Sequence, residues 1–221
     1  MSGPEPGGSP TPEAPPPSAP PPGDAWASAP APTQVPGHAG LFYADVPNRV
    51  IALIIDAIIV GIVGLILSAI LYQALGWPTT VTTVPDSSQI LGVRIETSTN
   101  FVALFAGTIL GIAISAGYYL YTWTRMRGTL GQKALGMQVG NAFDGVTLTM
   151  EQAVKRWLAL GGVFALAQFL NPLPLLGLLI GLAGLVWFIA LLYTTATSPT
   201  KQGLHDKYAN SVVVKAARSV G

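Results

Sequence analysis

Val50 to Leu71 is a continuous apolar run, VIALIIDAIIVGIVGLILSAIL, broken by one charge at Asp56. A helix rises about 1.5 Å per residue, so a run of this length covers the roughly 30 Å hydrocarbon core of a bilayer. No water is available there to bond backbone N–H and C=O groups, and a helix satisfies them within one segment. A second run, Phe101 to Trp123, carries no charge at all. It closes on Tyr118, Tyr119, Tyr121 and Trp123, amphipathic rings that favour the headgroup level and so mark where the helix leaves the membrane. Charged residues make up 10% of the chain, against about a quarter in soluble domains. The expected class is an all-α membrane protein, a helical bundle of four, or three, transmembrane segments in contact with the lipid bilayer.

Ahead of the bundle, residues 1–40 are rich in Pro, Ala, Gly and Ser, and Met1 to Pro36 holds 13 of the 19 prolines and no Lys or Arg. Such a segment cannot bury enough apolar surface to offset the entropy of ordering, so a disordered tail is expected. Composition favours a solvated spacer over a docking tail for a protein partner. The tail lacks the basic and apolar regions of a signal peptide, so membrane targeting is expected to come from the first apolar run.

Gly76 to Asn100, polar and containing Pro78 and Pro85, reads as a loop. The polar insert 124–156 carries Arg125, Arg127, Lys133, Lys155 and Arg156. Within it, Met137–Val139 and Val146–Leu148 flank Asn141 to Gly145 as a short hairpin. Thr149 and Gln152 form a capping box for the next helix. Trp157 to Leu170 is short for a span and is stopped by Asn171-Pro172-Leu173-Pro174, and Leu175 to Thr195 is a final apolar run. The spans are thus expected at about 50–72, 101–123, 157–172 and 175–195. The third is either a pass or an interfacial or re-entrant helix.

Ten of the eleven Lys and Arg lie at Arg49, in 125–156 or in 201–218, and only Arg94 falls in 76–100. The positive-inside rule then places the N-terminus, the insert and the C-terminus in the cytoplasm. An even number of crossings follows, which favours four.

Arg49 and Asp56 are seven residues apart, so on a helix they share a face about two turns, or roughly 10 Å, apart. A carboxylate at the depth of Asp56 costs on the order of 2.5–3.5 kcal/mol to insert and usually faces the bundle interior. It reads as a proton or cation site, or as a hydrogen-bonded side chain fixing helix packing against Thr108, Ser115 or a basic group; the balance lies slightly with packing. No other acid or base falls in the spans, so transport is more credible for a homo-oligomer that gathers several copies of Asp56. Gly107-x-x-x-Gly111 and Gly177-x-x-x-Gly181 each offer a small-residue face for close helix approach. Gly128, Gly131 and Lys133 lack the spacing of a phosphate loop and read as a turn anchored to anionic lipid. With no cysteine, no paired histidines and no further ligands beside His205-Asp206, neither a metal site nor a cofactor is expected. No nucleophile, base and orienting group converge, so no enzyme is expected, and no nucleic-acid partner.

Arg49-x6-Asp56, GTLGQKALGMQV (Gly128 to Val139), Ala153-x-x-Arg156 and GLHDKYANSVVV (Gly203 to Val214) occur in one order across residues 43–214. In this ordered set the chain resembles the RDD family of bacterial membrane proteins. The resemblance implies that Asp206 is the second aspartate of the family's motif, beside Arg49 and Asp56. It also implies a plasma-membrane protein for which transport, including cation/proton exchange, has been proposed, and which is often described with fewer than four spans. The tail's composition further resembles the mycobacterial proline-rich antigen proteins, which implies an actinobacterial setting. The expected organisation is a tail 1–40, an RDD-like domain 43–214 and a C-terminal tail 215–221. Its polar centre is Arg49, Asp56, Arg156 and Asp206, serving passage of a small cation or solute. The rival expectation is a non-transporting anchor whose tail recruits partners.

Overall fold

The computed structural model describes Gly3 and residues 41–90, 92–170 and 174–215. The expected tail 1–40, the Asn171-Pro172-Leu173 break and residues 216–221 lie outside the described residues. Contacts divide the chain into Met1–Thr33 and Gln34–Gly221, and every element described belongs to the second unit.

A two-residue strand β1 (Phe42–Tyr43) leads into α1 (Val46–Leu75), which starts with proline in its first turn and stops at Gly76, where φ is 81°. Proline suits that position because its missing N–H has no helical acceptor there. Next come β2 (Thr79–Pro85), β3 (Val93–Thr99) and α2 (Phe101–Arg125). Asn100 ties two helix ends together: its side chain accepts from Ala103 N at 3.1 Å and donates to Leu75 O at 2.8 Å. The short α3 (Leu130–Ala134), β4 (Met137–Asn141) and α4 (Met150–Leu170) follow. The Thr149–Gln152 capping box is present, with reciprocal bonds of 3.0 and 3.2 Å. The chain continues with α5 (Pro174–Thr197), α6 (Leu204–Tyr208) and β5 (Ser211–Lys215).

Among the described residues, four helices are long and apolar enough to cross a membrane: Val46–Leu75, Phe101–Arg125, Met150–Leu170 and Leu175–Thr197. Their outward faces carry large apolar side chains such as Leu65, Ile70, Leu175 and Val186. A soluble monomer rarely exposes such a continuous apolar surface; in a bilayer it meets solvent of its own kind. Neighbours in the bundle are α1 with α2, α2 with α4, and α4 with α5.

The described core lies at one end of the bundle. There Trp123, Met137, Val139, Leu148, Ala153 and Val213 are buried together, between the helix ends and an antiparallel sheet of order β1-β5-β4. This sheet corrects the expected hairpin. β4 pairs with β5 (Met137 opposite Lys215, Val139 opposite Val213), not with Val146–Leu148. Asn141 to Val146 do turn back on themselves, through Gly145 N to Asn141 O and Asn141 N to Val146 O. Val146 itself is exposed, whereas Val212, Val213 and Val214 are buried, so the apolar strand 70 residues downstream covers β4 better than the local one. The expected loop 76–100 is also a hairpin: β2 and β3 pair antiparallel from Thr79–Thr99 to Pro85–Val93. Its alternating Thr/Val and Val-Arg-Ile-Glu pattern is a strand signal that the two prolines obscured.

Candidate functional site

Two buried polar clusters sit at the sheet end of the bundle. In the first, Asp56 on α1 is 2% exposed and accepts three hydrogen bonds. Tyr118 Oη donates at 2.7 Å, Thr129 Oγ1 at 2.6 Å and Gly131 N at 2.8 Å. Its partners are therefore neither Thr108, which donates to Leu104 O, nor Ser115, which accepts from Trp157, nor any basic group. The start of α3 comes down onto α1 and supplies two of the three donors, from its cap Thr129 and from Gly131 in its first turn. Thr129 doubles as the cap of α3, accepting from Gln132 N while Gln132 Oε1 accepts from Thr129 N. Gly131 is required for the close approach, since a Cβ there would meet the carbonyl of Ala52 and lie 2.8 Å from Asp56 Oδ1. The Gly128–Lys133 segment is thus more than a lipid-anchored turn, although Lys133 does remain exposed.

The second cluster joins α1, α4 and α6. Arg49 Nη1 lies 2.5 Å from Asp206 Oδ2, and Arg156 Nη2 lies 2.9 Å from Asp206 Oδ1. Asp206 is fully buried and Arg156 nearly so. Arg49 Nε also donates to Ala44 O at 3.0 Å, which fixes the entry of α1. The Arg156 guanidinium lies 4.7 Å over the ring of Trp123, a cation–π contact strengthened by desolvation. Burial pushes the Asp206 carboxyl up, but the charges around it, Arg156 foremost, outweigh burial and hold it well below the usual range. His205 Nε2 stands 3.5 Å from Asp206 Oδ1. Burial, opposed by Asp206 but aided by the two arginines, draws His205 down to about 4, so at neutral pH it is uncharged. His205 is held close by Gly203, where a Cβ would lie 2.8 Å from the imidazole Cε1 and 2.5 Å from Thr195 Oγ1.

Of the four predicted polar residues, Arg49, Arg156 and Asp206 therefore meet in one ion-paired cluster and Asp56 belongs to its own. Both clusters wall a single cavity of about 70 Å³, lined by Arg49, Asp56, Arg156 and His205 together with apolar side chains of α1 and α5. Tyr118, Thr129, Gly131, Trp123 and His205 were not expected at the site. Glycine at 131 was the available signal, and its meaning depends on what the turn packs against.

The glycine pairs divide. Gly107 is buried against Tyr72 of α1, whose ring leaves no room for a Cβ, whereas Gly111 and Gly181 face open space. Gly177 is half-buried and borders a hollow with Leu104, Thr108, Ala167 and Gln168. Gly184 supplies the tight contact on α5, where a Cβ would be 3.2 Å from the ring of Phe164. A glycine makes a packing face only where a neighbouring helix comes opposite it, which spacing alone does not specify. No group of three or more His, Cys, Asp or Glu suited to a metal occurs among the described residues.

Compared with known proteins, residues 43–210 match the RDD family. No curated protein and no solved structure matches the chain.

Proposed function

The chain belongs to the RDD family, and from that premise we propose that it moves a small solute, a cation or another small ligand, across the membrane by way of the cavity between the two polar clusters. The observation that carries this reading is the cavity's wall. Arg49, Asp56 and Arg156 come from two membrane helices and His205 from the short helix beneath them, and all border one space of about 70 Å³. Ionisable groups at membrane depth are expensive to bury, and where they are kept they commonly line solute or ion paths. In this reading Asp56 holds the turn 128–131 against α1, and the Arg49–Asp206–Arg156 cluster holds α1, α4 and α6 in register. A solute entering the cavity touches both clusters, so binding can bias how the elements pack.

The excess of Lys and Arg at the sheet end favours a plasma membrane orientation with both termini in the cytoplasm. Proteoliposomes containing a pH-sensitive dye, given Na⁺, K⁺ or acetate gradients, test the function. Flux above that of protein-free vesicles is expected, with loss in Asp56→Asn. No flux with any of the three, or equal flux in the variant, would leave the bundle as a membrane anchor and the proline-rich tail as the part that acts.

A further inference from the structure

In the second cluster two guanidinium groups share the single carboxylate of Asp206. His205 is neutral, and the Asp56 carboxylate is engaged by Tyr118, Thr129 and Gly131. The cluster by itself carries one positive charge in excess, and the Asp56 carboxylate faces it across the same cavity. The cluster also holds buried side-chain donors that lack an acceptor among the described residues, Arg49 Nη2 and Arg156 Nε and Nη1, and one ring nitrogen without a partner, His205 Nδ1. Native interiors contain few such atoms, and each calls for a partner. The three residues that own them border the same cavity, whose remaining wall includes Val46, Val50, Leu53 and Leu191.

We propose that this cavity binds a small carboxylate monoanion, its head on Arg49 and Arg156 and its apolar body against Val46, Leu53 and Leu191. A guanidinium fork matches a carboxylate with two parallel N–H···O bonds. Size limits the ligand further. A dry cavity of about 150 Å³ accommodates benzene, so the 70 Å³ here suits a molecule of acetate size.

The inference rests on reading this cavity as the solute site, but it requires only binding. The full chain in detergent, titrated with radiolabelled sodium acetate at fixed ionic strength, is expected to bind saturably at one acetate per chain. Unlabelled propionate is expected to compete, and gluconate, too large for the cavity, is not. Arg156→Gln is expected to weaken binding by at least about tenfold, the scale of a lost charge-assisted bond. That change also unbalances the ion pairs, so Leu53→Phe, which narrows the cavity and touches no charge, is the companion variant. It is expected to lose acetate binding while keeping the wild-type melting temperature. Absence of saturable binding, equal competition by gluconate, or wild-type affinity in both variants would overturn the proposal. Acetate binding without flux leaves this inference standing and removes the transport function; cation flux without acetate binding does the reverse.

Discussion

Gly131 is the residue on which the Asp56 cluster turns. Its N–H reaches the carboxylate at 2.8 Å because no side chain stands between α3 and α1. Gly131→Ala would crowd Ala52 O and Asp56 Oδ1, and overpacking of this kind costs about 1–3 kcal/mol. Thermal unfolding in detergent is expected to show that loss, while Gly111→Ala, with open space around it, stays within about 1 kcal/mol and on the stabilising side. Equal effects at the two positions would contradict the close-approach argument. His205 makes a second prediction. Its folded value of about 4 lies below the ordinary 6.5, so the unfolded chain binds the extra proton and stability falls as pH drops through that window. It is complete above about 6.5 and lost progressively towards 4. Asp206, Arg156 and Arg49 are the charged groups facing the ring. Melting curves of wild type should show this decline, and His205→Gln should flatten it; identical slopes would place the sensitivity elsewhere.

Among the elements, α6 is only five residues long, yet it secures two membrane helices. Asp206 receives Arg49 from α1 and Arg156 from α4, and Gly203 N at 3.4 Å. Asp206→Asn leaves two buried guanidinium groups without a counter-charge, and breaking a buried pair in this way costs about 3–5 kcal/mol. The expected outcome is early protease cleavage around 198–210 and a lower melting temperature. Wild-type behaviour would mean that the ion pairs do not hold α6. Three of the membrane helices were legible from their apolar runs because each run states its own solvent; the run Trp157 to Leu170 was too short to decide, and the helix reaches spanning length by including Met150–Arg156. The β4–β5 pairing was not, because Val139 and Val213 meet across more than 70 residues of sequence and the nearby Val146 offered a shorter, wrong partner.

For the whole molecule, the ends of the bundle are chemically unlike. The β1-β5-β4 sheet and the buried ion pairs occupy one end, and the β2–β3 hairpin joins the other ends of α1 and α2. The chain contains no cysteine, so single replacements report topology without background. With the proposed orientation, Ser88→Cys in intact cells is expected to react with a membrane-impermeant maleimide. Asp144→Cys and Lys201→Cys are expected to react only after permeabilisation. Labelling of all three in intact cells, or the inverse pattern, would reject an arrangement with both termini inside.

Sequence by itself determined the solvent of this protein, three of its apolar helices and Asp56 as its costly intramembrane group, conclusions that depend on hydropathy, length and charge, which are local properties of the chain. Arg156 and Asp206 entered through the family resemblance, and the segment 157–172 stayed open between a pass and a re-entrant helix. Only the tertiary structure decided which charge meets which. Arg49 and Asp56 share a helix face in sequence, yet the first turns to Asp206, 157 residues away, and the second to Tyr118, Thr129 and Gly131. The reason is desolvation: a buried ion takes whichever complementary group the fold brings within hydrogen-bond reach, and that distance is set by packing between elements far apart in the chain.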